Sequence, residues 1–283
     1  MRELVLSPHT ESVRSELADA RHWSAYAAEL RGILAIVIQQ SEADALEVGE
    51  LLVNRPLPGR YADLRNGVDV SPSQAVDLVE GMAAGRGPYC RLSLPGRLHI
   101  VSGWEGAVHL HTTPQVATEL TGLRGESVSL QWRNSDPDPV DTEGLVRAVA
   151  DESFWSAVRD MSDHVTLLCE RWAHGSFGCT WFLVTRQNAG EVAELVRPRS
   201  LLCVVTDPDL RPGSETLEDD FTAFKAPLLP GELPYRAFPG GADDLSEVVA
   251  EGYTLVLADD VMGDWCVVPD PDGVNRGQWA DIR

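Results

Sequence analysis

Lysine is almost missing from this chain. Of its 23 basic residues Lys225 is the single lysine, and the other 22 are arginines. With abundant Ala, Gly, Val, Asp and Pro, this bias matches high-GC codon usage and points to a bacterial source without bearing on mechanism. Long apolar runs are missing too. None reaches the roughly 18 to 20 residues of a membrane helix, and the longest, residues 32–38, is strand-sized. Met1-Arg2-Glu3-Leu4 is not a basic region followed by a long apolar one, so no secretory signal is expected. The five cysteines, Cys90, Cys169, Cys179, Cys203 and Cys266, are scattered and odd in number, and no Cys-x-x-Cys occurs. That excludes a disulfide framework and suits small buried hydrophobes in a reducing compartment. A cytoplasmic protein is expected.

Positive charge is scarce relative to negative. The formal net charge is −21, and it is unevenly spread. Residues 1–135 carry 12 Arg/Lys against 16 Asp/Glu, and residues 136–283 carry 11 against 28. Acidity of this size disfavours nucleic acid and anionic membranes as direct partners, because contact with phosphate needs compensating cations. It favours a basic protein partner, or serves solubility alone.

What the chain does have is a repeat. Trp23-Ser24-Ala25 recurs as Trp155-Ser156-Ala157, and at that spacing of 132 Glu11, Ala18 and Asp19 also fall on identical residues. The expectation is two tandem related α+β domains, residues 1–135 and 136–283, the second strongly acidic. Each would be a mostly antiparallel sheet with helices packed on one face. In the first copy, apolar residues at intervals of three and four predict a helix over 12–30. Gly32 is read as its end, 33–38 as a buried strand and 42–52 as a second helix. Ser71-Pro72 opens a third helix, and strands follow at 89–94, 98–101, 107–112 and 127–132, with a short helix at 114–120. Residues 134–139 (Asn-Ser-Asp-Pro-Asp-Pro) read as a linker. In the second copy helices are expected at 142–161, 188–196 and 243–251. Strands are expected at 165–172, 179–185, 201–206, 253–258 and 265–268, with a long irregular segment at 207–241.

Chemistry-bearing motifs are weak. His109-Leu110-His111 places two imidazoles on one face of a strand, and His99 on the preceding strand can approach them across a hairpin. Three such histidines suit zinc, yet no His-Glu-x-x-His element or spaced carboxylate completes a set, so neither metal nor cofactor is expected. Ser176, within Ala173-His174-Gly175-Ser176-Phe177-Gly178, departs from the Gly-x-Ser-x-Gly elbow and lies between two strands, which makes it a hairpin turn. Residues 81–87 are glycine-rich but follow a helix, the wrong geometry for phosphate. Cys169 and Cys179 flank the Ser176 turn and would face each other if their strands pair closely. Asp270-Pro271-Asp272-Gly273 is a turn sequence without the spacing of a calcium loop.

The acidic clusters carry the expected binding surface: Glu218, Asp219 and Asp220, then Asp259, Asp260, Asp264, Asp270 and Asp272, interleaved with Trp265 and Trp279. Carboxylates steer a basic partner and buried aromatics anchor it. The function expected from the residues is a non-enzymatic acidic binding protein, a bacterial immunity or antitoxin-type inhibitor that occludes a basic protein such as a toxin. Two alternatives stand beside it. One is an enzyme or small-molecule sensor with a site between the repeats built on His99, His109 and His111. The other is a DNA mimic.

Overall fold

In a computed structural model the described residues are 1–9, 20–134, 148–197, 200–212, 221–238, 241, 246–258 and 276–279. The chain divides into two compact units, Met1–Leu52 with Leu57–Thr142, and Val53–Pro56 with Glu143–Arg283. Both are mixed α+β with largely antiparallel sheets.

Unit 1 is built on one seven-stranded antiparallel sheet in the order β3-β2-β4-β5-β6-β1-β7. The strands are β1 (Arg2–Pro8), β2 (Leu46–Leu52), β3 (Asp69–Val70), β4 (Tyr89–Leu94), β5 (Leu98–Ser102), β6 (Val108–Thr112) and β7 (Val128–Asn134). Period-two alternation sets which face is inward: Leu92, Leu98, Ile100, Val108 and Leu110 are fully buried beside more exposed chain neighbours, and on β1 Leu4 and Leu6 are fully buried with Val5 between them buried as well. Helices α1 (Ala20–Gln40), α2 (Pro72–Ala83) and α3 (Pro114–Glu119) accompany this sheet, with α2 against β4 and β5 and α3 against β1. Helix α2 starts as its sequence predicts. Ser71 Oγ accepts from Gln74 N, Gln74 Oε1 accepts from Ser71 N, and Pro72 takes the first helical position.

Two expectations fail here. Residues 33–38 are not a strand, because α1 runs through Gly32 to Gln40, and residues 46–52 are a strand instead of a helix. Leu30, Ile33, Leu34, Val37 and Ile38 are buried at intervals of three and four, so packing of one helical stripe outweighs the β-propensity of the branched residues. Gly32 is exposed and its Cα faces open space, where a helical glycine costs only about 1 kcal/mol. Strand β1, unread in the sequence, lies inside the sheet between β6 and β7.

Unit 2 has two sheets. The first, of six strands, runs β14-β10-β9-β11-β17-β8. Its members are β8 (Ala148–Val149), β9 (Thr166–Arg171), β10 (Cys179–Val184), β11 (Leu201–Thr206), β14 (Gly231–Leu233) and β17 (Arg276–Trp279). All its pairs are antiparallel except β11 with β17. The second sheet runs β12 (Arg211–Pro212), β16 (Tyr253–Ala258), β13 (Phe221–Lys225), β15 (Tyr235–Phe238). Residues 207–241, expected to be irregular, therefore supply four strands. The helices are α4 (Glu152–Met161), α5 (Ala189–Leu195) and α6 (Ser246–Ala250).

The six-stranded sheet is covered on both faces. Leu168, Phe182, Leu202 and Val204 pack with Phe154 and Val158 of α4 and Val192 of α5. Leu167, Cys169, Trp181, Cys203 and Val205 point the other way, against Phe224 and Leu257 of the second sheet. Strands β9 and β11 are accordingly buried along five consecutive residues each, as expected where both faces are closed.

Candidate functional site

The second face of the unit 1 sheet carries the polar side chains. One register row crosses six strands: Glu47 of β2 opposite Ser93 of β4, then His99 of β5, His111 of β6, Glu3 of β1 and Arg133 of β7. The adjacent row places Val101, His109, Val5 and Gln131 side by side. Antiparallel pairing of three sequence-distant segments thus gathers His99, His109 and His111 on one face, with Glu3 among them.

The imidazoles are held differently. His109 Nδ1 donates to Glu3 Oε1 at 2.7 Å, and its Nε2 lies over Gly103, where a Cβ would approach within 2.6 Å. Any larger residue at 103 would displace the ring. His99 lies directly opposite His111. Its Nδ1 is buried and has no hydrogen-bond partner, which for a polar atom costs about 1–3 kcal/mol. Burial, then Arg91 and the neighbouring His111, lower the His99 pKa against the opposing effect of Glu50. Burial also lowers that of His111, with Glu3 opposing and His109 adding to the shift. Both rings are therefore held toward the neutral form. Arg91 is itself tied to Glu50 at 2.7 Å. Among the described residues no three His, Cys, Asp or Glu side chains converge in metal-binding geometry.

Two other polar clusters lie in unit 2. Glu170 is fully buried on β9, paired with the Arg197 guanidinium, and accepts from Arg197 N at 2.6 Å and Ser200 Oγ at 2.9 Å. Burial still raises its pKa beyond what these partners offset. The Arg197 guanidinium also donates to Thr180 and lies over the Trp172 ring at 5.4 Å, so the cluster fastens the start of β11 to β9 and β10. The second cluster is Cys169, Cys179 and Cys203. The register sets Cys169 opposite Trp181 and Cys203, and Cys179 opposite Arg171, so Cys169 and Cys179 meet diagonally and not face to face. None of the three forms a disulfide. Cys179 Sγ donates to the Tyr235 hydroxyl at 3.2 Å, and burial raises the Cys169 thiol pKa.

Ser176 sits in the β9–β10 turn, closed by Gly178 N to Gly175 O, with Gly175 at φ +86° against Val53 and Asn54. Of the acidic residues expected to bind a partner, Glu218, Asp219, Asp220, Asp259, Asp260, Asp264, Asp270 and Asp272 lie outside the described residues, as does Trp265. Trp279 is described only as the last residue of β17. Trp104 is 93% exposed at the β5–β6 turn.

What the sequence did not disclose is Glu3. The alternation in Arg-Glu-Leu-Val-Leu-Ser-Pro was a strand signal, but only pairing puts that carboxylate beside His109 and His111. Comparison of the chain with protein families, with curated proteins and with solved structures found no match.

Proposed function

We propose that this is a non-enzymatic acidic binding protein of the immunity or antitoxin type, which engages and occludes a basic protein. Its charge carries the reading: a net of −21 with Asp259, Asp260, Asp264, Asp270 and Asp272 set around Trp265. Counted by unit, unit 1 holds 11 Arg/Lys against 19 Asp/Glu and unit 2 holds 12 against 25, nets of −8 and −13. Acidity is thus shared more evenly than a division at residue 135 suggests, because three aspartates between 136 and 141 fall in unit 1. The unit 2 excess remains, and carboxylates beside aromatics suit steering and anchoring of a cationic partner.

The proposal includes an internal duplication. Support comes from element order. In β1-α1-β2-β3-α2-β4 and β8-α4-β9-β10-α5-β11, the second strand pairs antiparallel with the third and fourth, and the first strand lies beyond the fourth. The Trp-Ser-Ala tripeptide falls in the first helix of both series.

The test is affinity capture from the native host at low and moderate salt, with wild type and the Asp259→Asn, Asp260→Asn, Asp264→Asn triple variant. A stoichiometric basic partner, lost with salt and with the triple variant, is expected. No partner at either salt overturns the reading. The gathering of three histidines beside Glu3 favours one rival, a small-molecule or catalytic site on unit 1. A ligand-dependent thermal shift that disappears in His99, His109 or His111 variants would identify it.

A further inference from the structure

We infer that the unit 1 sheet face holds a site for a divalent transition-metal ion of the zinc class, bound by the cross-strand pair His99 and His111 with Glu3 as third donor. The site is independent of the acidic surface proposed above.

The geometry begins with register. His99 and His111 are directly opposite on adjacent antiparallel strands, and Glu3 is directly opposite His111 on its other side. Three donors thus stand in a row on neighbouring strands. Opposed residues have Cβ atoms about 4.5–5.5 Å apart. Two imidazole nitrogens bound to one zinc at about 2.0–2.1 Å lie closer to each other than that. The site requires the two rings to rotate onto one ion over an unmoved backbone. Among the described residues these donors do not converge in the resting structure, so binding depends on that rotation.

Three further observations point to an ion. The buried Nδ1 of His99 has no hydrogen-bond partner, so a ligand that satisfies this ring removes a defect already present. Glu3 is already oriented, because Oε1 holds His109 Nδ1 at 2.7 Å and the His109 ring is fixed against Gly103. That leaves the other carboxylate oxygen of Glu3 as donor and His109 as the outer hydrogen-bonding partner that metal-bound carboxylates commonly have. Last, the corresponding face of the unit 2 sheet bears Leu167, Cys169, Trp181, Cys203 and Val205 and is closed by a second sheet. On the same face of unit 1 one row, Glu47 to Arg133, is polar across six strands, with Val5 and Val101 in the row beside it. Two imidazoles and a carboxylate, with a fourth position left for water, match the donor set of open zinc sites. Among the described residues of this face the cationic groups are Arg91, tied to Glu50, Arg133 and the N-terminal amine.

The experiment is calorimetric titration of the chelator-treated full chain with zinc and with nickel chloride in a non-coordinating buffer. Bound metal is then counted after desalting. One ion per chain is expected, with affinity at least about tenfold weaker in His99→Ala and in His111→Ala and unchanged in His164→Ala. His164 is a surface residue paired with Asp207. Absence of stoichiometric binding in wild type, or wild-type affinity in both alanine variants, overturns the site. Should either alanine variant lose its circular-dichroism signature, His111→Cys decides. A folded cysteine variant that keeps zinc supports a ligand at 111, and a folded one that binds none excludes it. Partner capture by the acidic surface is unaffected by any of these outcomes.

Discussion

The seven-stranded sheet of unit 1 and the six-stranded sheet of unit 2 are both largely antiparallel but differ in what lies on the second face. In unit 2 that face meets another sheet, and β9 and β11 are buried continuously. In unit 1, β5 and β6 alternate a buried with a partly exposed residue, and the second face carries His99, His111, His109, Glu3, Ser93 and Arg91. The difference teaches that composition follows coverage more than pairing. A strand buried on one side keeps its period of two, whereas closing the other side erases that period and makes the run apolar. Polar chemistry survives where coverage is incomplete, which is why the histidines collect on unit 1 and cysteine thiols fill the matching layer of unit 2.

A carboxylate placed on each second face should separate the two units most strongly. Cys203→Asp in unit 2 introduces an unpaired charge into a closed apolar layer and is expected to cost about 4 kcal/mol or more. Ser93→Asp in unit 1 should stay within about 0.5 kcal/mol. Equal losses in urea denaturation would mean that the two faces are equally closed. Next in size is Glu170→Ala, expected to destabilise unit 2 by about 3 kcal/mol. It strands the Arg197 N–H and the Ser200 hydroxyl. The loss stays at the low end because the Arg197 side chain is 33% exposed and can reach water. Tyr26→Phe follows, at about 1 kcal/mol, since it removes the 2.6 Å bond from Tyr26 Oη to Gly106 O that ties α1 to the β5–β6 turn.

Acid should then separate the units. His99 and His111 are held below their ordinary value of 6.5. Their neutral forms therefore contribute stability that is present above that value and lost as pH falls through the lowered ones. With chelator present, unit 1 is expected to weaken below pH 6.5, and the His99→Gln, His111→Gln double variant should flatten that dependence. An unchanged slope in the double variant would assign the acid sensitivity elsewhere. Smallest of all, Trp104→Ala removes a side chain with little contact and should leave stability within about 0.5 kcal/mol, which a thermal melt can check.

Much of the fold was legible. The strand over 201–206 and the helix start at Ser71-Pro72 coincide with the structure because each rests on local chemistry, a β-branched apolar run in one case and a proline preset for the first helical position in the other. The helix through 33–38 was misread for an equally physical reason. Six consecutive apolar residues satisfy both periods, and only the burial of Leu30, Leu34 and Val37 on one stripe selects between them. The four strands within 207–241 were hidden because they are short, interrupted by Pro and Gly, and held by long-range pairing.

The candidate site divides in the same way. The sequence placed His109 and His111 on one face, since alternation is a property of any strand, and it determined the net charge, the scarcity of lysine and the repeated tripeptide. It had no means of placing Glu3, more than a hundred residues away, because register between distant strands is set by the whole sheet. Tertiary structure alone decided that β1 enters between β6 and β7, that Cys169 opposes Cys203, and that one sheet is sealed on both faces while the other keeps a polar row. Each of these depends on contacts between segments far apart in the chain, for which no local signal exists.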